Sequence, residues 1–260
     1  MHAAAAPIAR WRRTATAMAN GVLDLVFPRS CVSCGGLVEA AGGGEGDSGF
    51  RHVCDGCRRR ITLVQAPHCT TCGHPFFGVM AENIGCPHCE TLQPHFREGR
   101  TATLLQGAVR DLVHALKYRK QLFVVHDIAA LVRSNAYFRE FLRGALLIPV
   151  PLHPRKRRER GFNQAELLAE IFAAQAEGAT IVRALRRVLD TPTQTRLDRE
   201  ERQHNLKNAF ALAARPRLET ARRYVIVDDV FTTGATLNAC AAVLRQAGLA
   251  AIDVATLGHG

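Results

Sequence analysis

Residues 225–237 read VIVDDVFTTGATL. An apolar run ends in two adjacent acids, Asp228 and Asp229, a loop of Thr and Gly follows, and a helical stretch begins near Thr236. Strand, turn and helix in this order form one unit of an α/β fold. At such a turn the backbone N–H groups and the helix dipole face an anion. Thr232, Thr233 and Thr236 add hydroxyl donors around Ala235, and Gly234 permits close backbone approach. Two carboxylates just upstream are ill suited to phosphate. They suit the hydroxyls of a sugar that carries the phosphate, or a metal. An acid pair at the end of a buried strand also costs solvation energy, and the sequence shows no local partner for it. The plain alternative is a strand–turn–helix with Asp229 as an ordinary cap.

Working outward, the flanking chain alternates helical and strand-like segments. Val109, Leu112, Val113 and Leu116 recur at helical spacing within 108–118. Residues 122–142 are expected to continue as helix, burying Ile128, Leu131, Val132 and Phe138. LLIPVPL at 146–152 reads as a strand leading into a loop, and 163–176 as a helix with Leu167, Leu168, Ile171 and Phe172 on one face. Residues 224–227 form the strand before the acid pair, 236–246 the helix after it, and 252–257 a last strand, with Cys240 a core cysteine. The pattern predicts a parallel sheet flanked by helices.

Eight of the nine cysteines occur as four CxxC pairs within 29–95. Two cysteines in a tight turn aim both sulfurs at one metal, and a second pair completes a tetrahedral site. Sequential pairing joins Cys31, Cys34, Cys54 and Cys57, then Cys69, Cys72, Cys86 and Cys89; interleaved pairing is the alternative. CVSCGG with CDGC, then CTTCGH with CPHC, reads as one unit repeated. Four thiolates leave no open position, so two structural zinc ions are expected. With the cysteines complete, His68, His74 and His88 read as surface residues. A glycine-rich stretch, AAGGGEGDSG at 40–49, reads as a loop between knuckles.

The formal charge is +11. Eight thiolates remove eight charges and two zinc ions restore four, leaving +7. A basic balance suits a phosphate-bearing ligand or nucleic acid. No apolar run approaches the ~20 residues of a membrane-spanning helix. Residues 1–28 read as an amphipathic helix docked on the rest of the chain, with membrane contact the alternative. Paired CxxC spacing without a secretion signal points to a reducing, cytoplasmic compartment.

VIVDDVFTTGATL resembles the fingerprint of type I phosphoribosyltransferases, which bind phosphoribosyl pyrophosphate (PRPP). PVPLHPRKRRERGFNQ at 149–164, TQTRLDREERQHNLKNAF at 193–210, HALKYR at 114–119 and the leading CxxC pairs together resemble the ComF (ComF/GntX) family. The resemblance runs from Phe27 onward. It implies a double zinc ribbon at 29–95 and a phosphoribosyltransferase-type domain at 96–260. It assigns Asp228 and Asp229 to the ribose hydroxyls, and Thr232, Thr233, Gly234, Ala235 and Thr236 to the 5′-phosphate. The loop 151–154 then faces pyrophosphate. Its prolines lack N–H donors, which shifts anion binding to side chains, with Arg155 and Arg160 as candidates. The polar stretch 190–205 corresponds to a cover over the site, from which Arg199, Arg202 and Asn205 could reach the ligand. For both arginine sets the bland readings are a solvated basic helix and a surface ion-pair cluster.

By this resemblance the chain binds PRPP with magnesium. The expected chemistry is displacement of pyrophosphate from C1 by a nitrogen nucleophile, although no residue stands out as an acid–base catalyst. Two other readings stay open: a module handling single-stranded DNA or DNA-uptake proteins, and a PRPP-responsive adaptor without chemistry. The GntX side of the family points to sugar-acid use. The low aromatic share, 6%, offers no stacking platform for single strands.

Overall fold

The computed structural model of the protein describes residues 28–38, 49–76, 86–189, 208–214, 216 and 218–260. The expectations for 1–28, 40–49 and 190–205, including Arg199, Arg202 and Asn205, lie outside these residues apart from Pro28 and Gly49. No helix among the described residues is long and apolar enough to cross a membrane.

Five strands carry the fold: β1 (Gly99–Leu104), β2 (Leu146–Pro149), β3 (Thr180–Ile181), β6 (Tyr224–Phe231) and β7 (Ile252–His259). They form one parallel sheet in the order β1-β7-β6-β2-β3. β4 (Leu185–Arg187) and β5 (Phe210–Leu212) pair antiparallel outside it. After a helical turn α1 (Asp55–Arg58) come α2 (Gly107–Arg119), α3 (Val125–Ser134), α4 (Ala136–Leu142), α5 (Pro154–Arg160), α6 (Gln164–Gln175) and α7 (Ala235–Gln246).

Strand side chains alternate between two cores. Val225, Val227, Ala255 and Leu257 face a core built with α2, α3, α4 and α6. Tyr224, Ile226, Ile252 and Val254 face a second, built with α7 and the β4–β5 pair. The parallel sheet flanked by helices, read from the alternating pattern, is thus present.

Three expectations change in detail. The helix expected over 122–142 is a 3₁₀ turn, Leu122–Val124, followed by two helices that meet at Asn135. Asn135 is 1% exposed. Its oxygen accepts from Phe138 N at 3.0 Å, while its amide donates to Ala102 O at 2.9 Å and Val64 O at 3.2 Å. A buried Asn satisfied in this way caps a new helix and ends the old one. β6 also runs beyond the acids to Phe231, because β7 supplies partners as far as Phe231↔His259. Finally, β1 went unread: its GRTATL offers no alternating apolar signal.

The cysteine-rich region straddles the β1 edge. Cys31 and Cys57 join the first core with Phe50 and Val53, while Cys69, Cys72, Cys86 and Cys89 join the second. Between them Leu63 bridges Thr103 antiparallel, with Val64 N donating to Ala102 O at 3.0 Å. An otherwise open strand edge is thereby covered. The fit is close, since a Cβ on Gly73 would stand 2.7 Å from Thr101 N. Asp127, fully buried on α3, accepts from Arg51 N at 2.9 Å and His52 N at 2.8 Å.

Candidate PRPP and zinc sites

β6 delivers Asp228 half-buried and Asp229 4% exposed. Asp229 N donates to Asp228 Oδ1 at 2.9 Å. Thr232, Thr233 and Gly234 form the bend after the strand, and α7 begins at Ala235. Gly234 holds φ +74, the left-handed region, where a Cβ is unfavourable. A Cβ there would also stand 2.6 Å from Phe231 Cζ and 2.9 Å from Leu92 Cδ2. Glycine is therefore required by conformation and by packing, and Leu92 brings the cysteine-rich region against the loop. Asn238 of α7 extends that contact, accepting from His95 N at 2.6 Å and donating to Gln93 O at 2.9 Å.

The acids do have a partner, and it is distant in the sequence. Lys117, on the last turn of α2, places Nζ 2.6 Å from Asp229 Oδ2. Burial works against this ammonium, but Asp229 and then Asp228 outweigh it and hold the lysine above its ordinary value. A carboxylate offers about four acceptor sites, so the two acids keep acceptor capacity beyond the Lys117 contact. Burial, and next the charge of Asp229, push Asp228 up to about 7. HALKYR contained Lys117 in plain view, yet only tertiary structure brings α2 to β6.

The RGFNQ element is explained by its caps. Gly161 ends α5 at φ +89, and Asn163, 3% exposed, starts α6. Asn163 accepts from Ala165 N at 3.1 Å and donates to Val150 O at 3.0 Å, pinning the loop after β2. Arg155 is exposed and 3.7 Å from Glu159; half-buried Arg160 donates to Gln164. A cleft of about 340 Å³ at the carboxyl end of β2 is lined by Arg157, Arg183, Arg186 and Arg187. Arg183, Arg186 and Arg187 were missed in the sequence because β4 was not recognised. Arg157 and Arg183 both approach Glu166, at 3.1 and 3.6 Å.

The cysteines gather into two tetrads, Cys31–Cys34–Cys54–Cys57 and Cys69–Cys72–Cys86–Cys89, which is sequential pairing. Cys34 and Cys54 sulfurs are 3.7 Å apart, and Cys69–Cys89 and Cys72–Cys86 are 3.6 Å apart. Zn–S bonds of about 2.3 Å in a tetrahedron set sulfurs about 3.8 Å apart, so both tetrads fit zinc. Burial, with the neighbouring sulfurs, pushes Cys57 and Cys89 up to about 12. Four sulfurs this close cannot all ionise without a cation. Cys240 is fully buried, its thiol raised by that burial, as expected of a core cysteine.

The histidines depart from expectation. His74 and His88 are half-buried and stack at 3.8 Å between ring centroids. His259 of β7, 3% exposed, meets both edge-on at 4.8 and 5.2 Å. His68 is also half-buried, and its Nε2 lies 2.9 Å from Tyr137 Oη.

Two Cys₄ units set against a parallel sheet, whose central strand carries an acid pair into a glycine-bearing helix start, define the class: a double zinc ribbon joined to an α/β domain with a five-stranded parallel sheet. The double zinc ribbon family matches residues 22–90. Competence protein F of Haemophilus influenzae is 30% identical over 232 residues, 88% of this chain and 96% of that protein. The chain belongs to the ComF family. DNA utilization protein YhgH of Escherichia coli is 30% identical over 206 residues, covering 78% of this chain and 88% of its own. A hypoxanthine phosphoribosyltransferase of Staphylococcus aureus superposes at a TM-score of 0.33 with 14% identity, over 52% of this chain and 64% of that one. That likeness is too loose to place residues.

Proposed function

We propose that this chain binds PRPP at the acid pair and fingerprint loop, in the cytoplasm, and serves DNA uptake. The observation that carries the reading is the acid pair itself, Asp229 buried against Lys117 beside the half-buried Asp228, at the mouth of a glycine-bearing helix start. The ribose hydroxyls supply donors to both carboxylates. The N–H groups and hydroxyls of Thr232 to Thr236 receive the 5′-phosphate. Arg155, Arg160 and the cleft arginines Arg183 and Arg186 supply positive charge on the pyrophosphate side.

The carboxylates are hard oxygen donors of the kind Mg²⁺ takes, and the ion would offset the pyrophosphate charge. The reaction such a site serves is attack of a nitrogen nucleophile on C1 with departure of pyrophosphate. In it Asp228 and Asp229 orient the ribose, Lys117 balances their charge, and the arginines hold the leaving anion. The DNA role rests on the competence and DNA-utilization names of the relatives and on the basic charge.

Melting the protein with and without PRPP and Mg²⁺ tests the binding. Wild type should shift upward, and Asp228→Asn with Asp229→Asn should lose most of the shift. An unchanged shift in the double variant removes the ribose assignment. Pyrophosphate release in the presence of a panel of bases then separates a transferase from an adaptor that binds PRPP without chemistry.

A further inference from the structure

A third group of potential metal ligands shares no residue with the thiolate tetrads and adjoins the second of them. Nitrogen atoms of His74, His88 and His259 lie within 4.8 Å of one another. His74 follows the Cys69–Cys72 turn, His88 sits inside the Cys86–Cys89 turn, and His259 is the last residue of β7. Their meeting is enforced by the fold, since the second ribbon fixes two rings and the sheet fixes the third.

The second observation is an unmet atom. His259 is 3% exposed, and its Nε2 is buried without a hydrogen-bond partner. A buried polar atom left unsatisfied costs roughly 1–3 kcal/mol. A strand-end histidine held in this way beside two others is poorly explained as packing, which an apolar ring would serve better.

We propose that His74, His88 and His259 form a third metal site, for a divalent first-row ion such as zinc. Imidazole nitrogen suits zinc, copper, iron and nickel, and three protein ligands leave a coordination position for water or an oxygen ligand. Zn–N bonds of 2.0–2.1 Å require nitrogens about 3.4 Å apart. The nitrogens must therefore close by up to about 1.4 Å, and the stacked rings of His74 and His88 must turn out of their near-parallel planes to aim both lone pairs at one ion, a rotation open to these partly exposed side chains. Such an ion differs from the two structural zincs in having an exchangeable ligand. It also ties the second ribbon to the last strand of the sheet. His259 stacks on Phe231 at 5.4 Å, and Phe231 is the ring against which Gly234 packs. The site thus stands one aromatic ring away from the fingerprint loop, although it does not depend on what that loop binds.

Cobalt titration of the untagged, full-length protein, with its thiolate sites already filled by zinc, tests the proposal. One equivalent of Co²⁺ should bind with d–d absorption and without a sulfur-to-cobalt charge-transfer band, and should raise the melting temperature. His259→Phe and, separately, His88→Gln should weaken that binding about tenfold or more. His88 is half-exposed, so its variant keeps the test alive if replacing the buried His259 impairs folding. Failure of wild type to bind the extra equivalent overturns the site. So does a charge-transfer band from the added ion, or affinity unchanged in His88→Gln.

Discussion

Lys117 Nζ stands 2.6 Å from Asp229 Oδ2 and gives the central strand's buried carboxylate its countercharge. The two acids are therefore not equivalent. Removing one member of a buried pair leaves the other charge unpaired and typically costs 3–5 kcal/mol. The Lys117 side chain keeps 22% exposure, so about 1–3 kcal/mol is expected here. Asp229→Asn and Lys117→Met should each lower the melting temperature of the ligand-free protein. Asp228→Asn should leave it unchanged or raise it, because it removes a repulsion. The sequence alone suggests that neutralising both acids leaves ligand-free stability unchanged or higher; the ion pair splits that expectation. Equal effects of Asp228→Asn and Asp229→Asn would show that Lys117 does not discriminate between them.

Asp228 adds a pH dependence of definite sign. Its folded value, pushed up to about 7 by burial and Asp229, lies above the roughly 3.9 of an unfolded aspartate. Between these values the folded state binds more protons, so stability falls as pH rises. Lowering pH from 7 to 5.5 should thus stabilise wild type relative to Asp228→Asn, which lacks the titrating group. Denaturant unfolding of the two proteins across this window reads the difference directly. Parallel pH profiles would place the Asp228 titration outside the window.

The fingerprint and the tetrads were legible in the sequence because each is local. VIVDDVFTTGATL contains its own strand, turn and helix start, and each tetrad is two CxxC turns brought together by a short loop. What stayed hidden is non-local. Lys117 looks like any helix-end cation until α2 crosses β6, and His259 looks like a terminal residue until β7 sets it beside His74. β1 lacks alternation because both cores and the covering segment bury it: every residue from Thr101 to Leu104 is buried. Two-sided burial erases the period-two signal on which strand reading depends.

The two zinc sites should differ in lability. Cys34 is exposed and Cys54 partly so, whereas Cys69, Cys72, Cys86 and Cys89 are all buried in the second core. A chelator should therefore remove the first zinc quickly and the second only on unfolding. Cys54→Ser should lose about one ion per chain and loosen the first ribbon, since three ligands no longer close that site. Metal release in one kinetic phase, or loss of both ions in Cys54→Ser, would count against independent sites.

If the basic surface binds single-stranded DNA, log affinity should fall linearly with log salt, by about 0.7 per phosphate contact. Arg158 is exposed on α5, while Arg157 is held 3.1 Å from Glu166. Arg158→Ala should therefore flatten the slope more than Arg157→Ala, and the double variant should flatten it furthest. Salt-independent affinity would dismiss DNA binding by the isolated chain.

Gly234 permits a sharper test, because the cost of a side chain there has two separable parts. Its φ of +74 imposes roughly 1–2 kcal/mol on any residue with a Cβ. The added carbon must also displace Phe231 and Leu92, which lie 2.6 and 2.9 Å from where it would stand. Gly35 is the matched control: its φ is also +74, but nothing lies within 4 Å of a Cβ there. Gly35→Ala should therefore show the conformational cost alone, and Gly234→Ala that cost plus about 1–3 kcal/mol of overpacking. The consequences for ligand differ as well. Displacing Leu92 moves the second ribbon against the loop proposed to receive the 5′-phosphate, so Gly234→Ala should lose the PRPP-induced melting shift while retaining wild-type zinc content. Gly35→Ala should retain the shift in full. Unfolding both variants in denaturant, with and without PRPP and Mg²⁺, measures each part. Equal destabilisation of the two would mean that the ribbon does not press on the loop. Loss of the PRPP shift in Gly35→Ala would mean that the shift reports global stability instead of the geometry at the helix start.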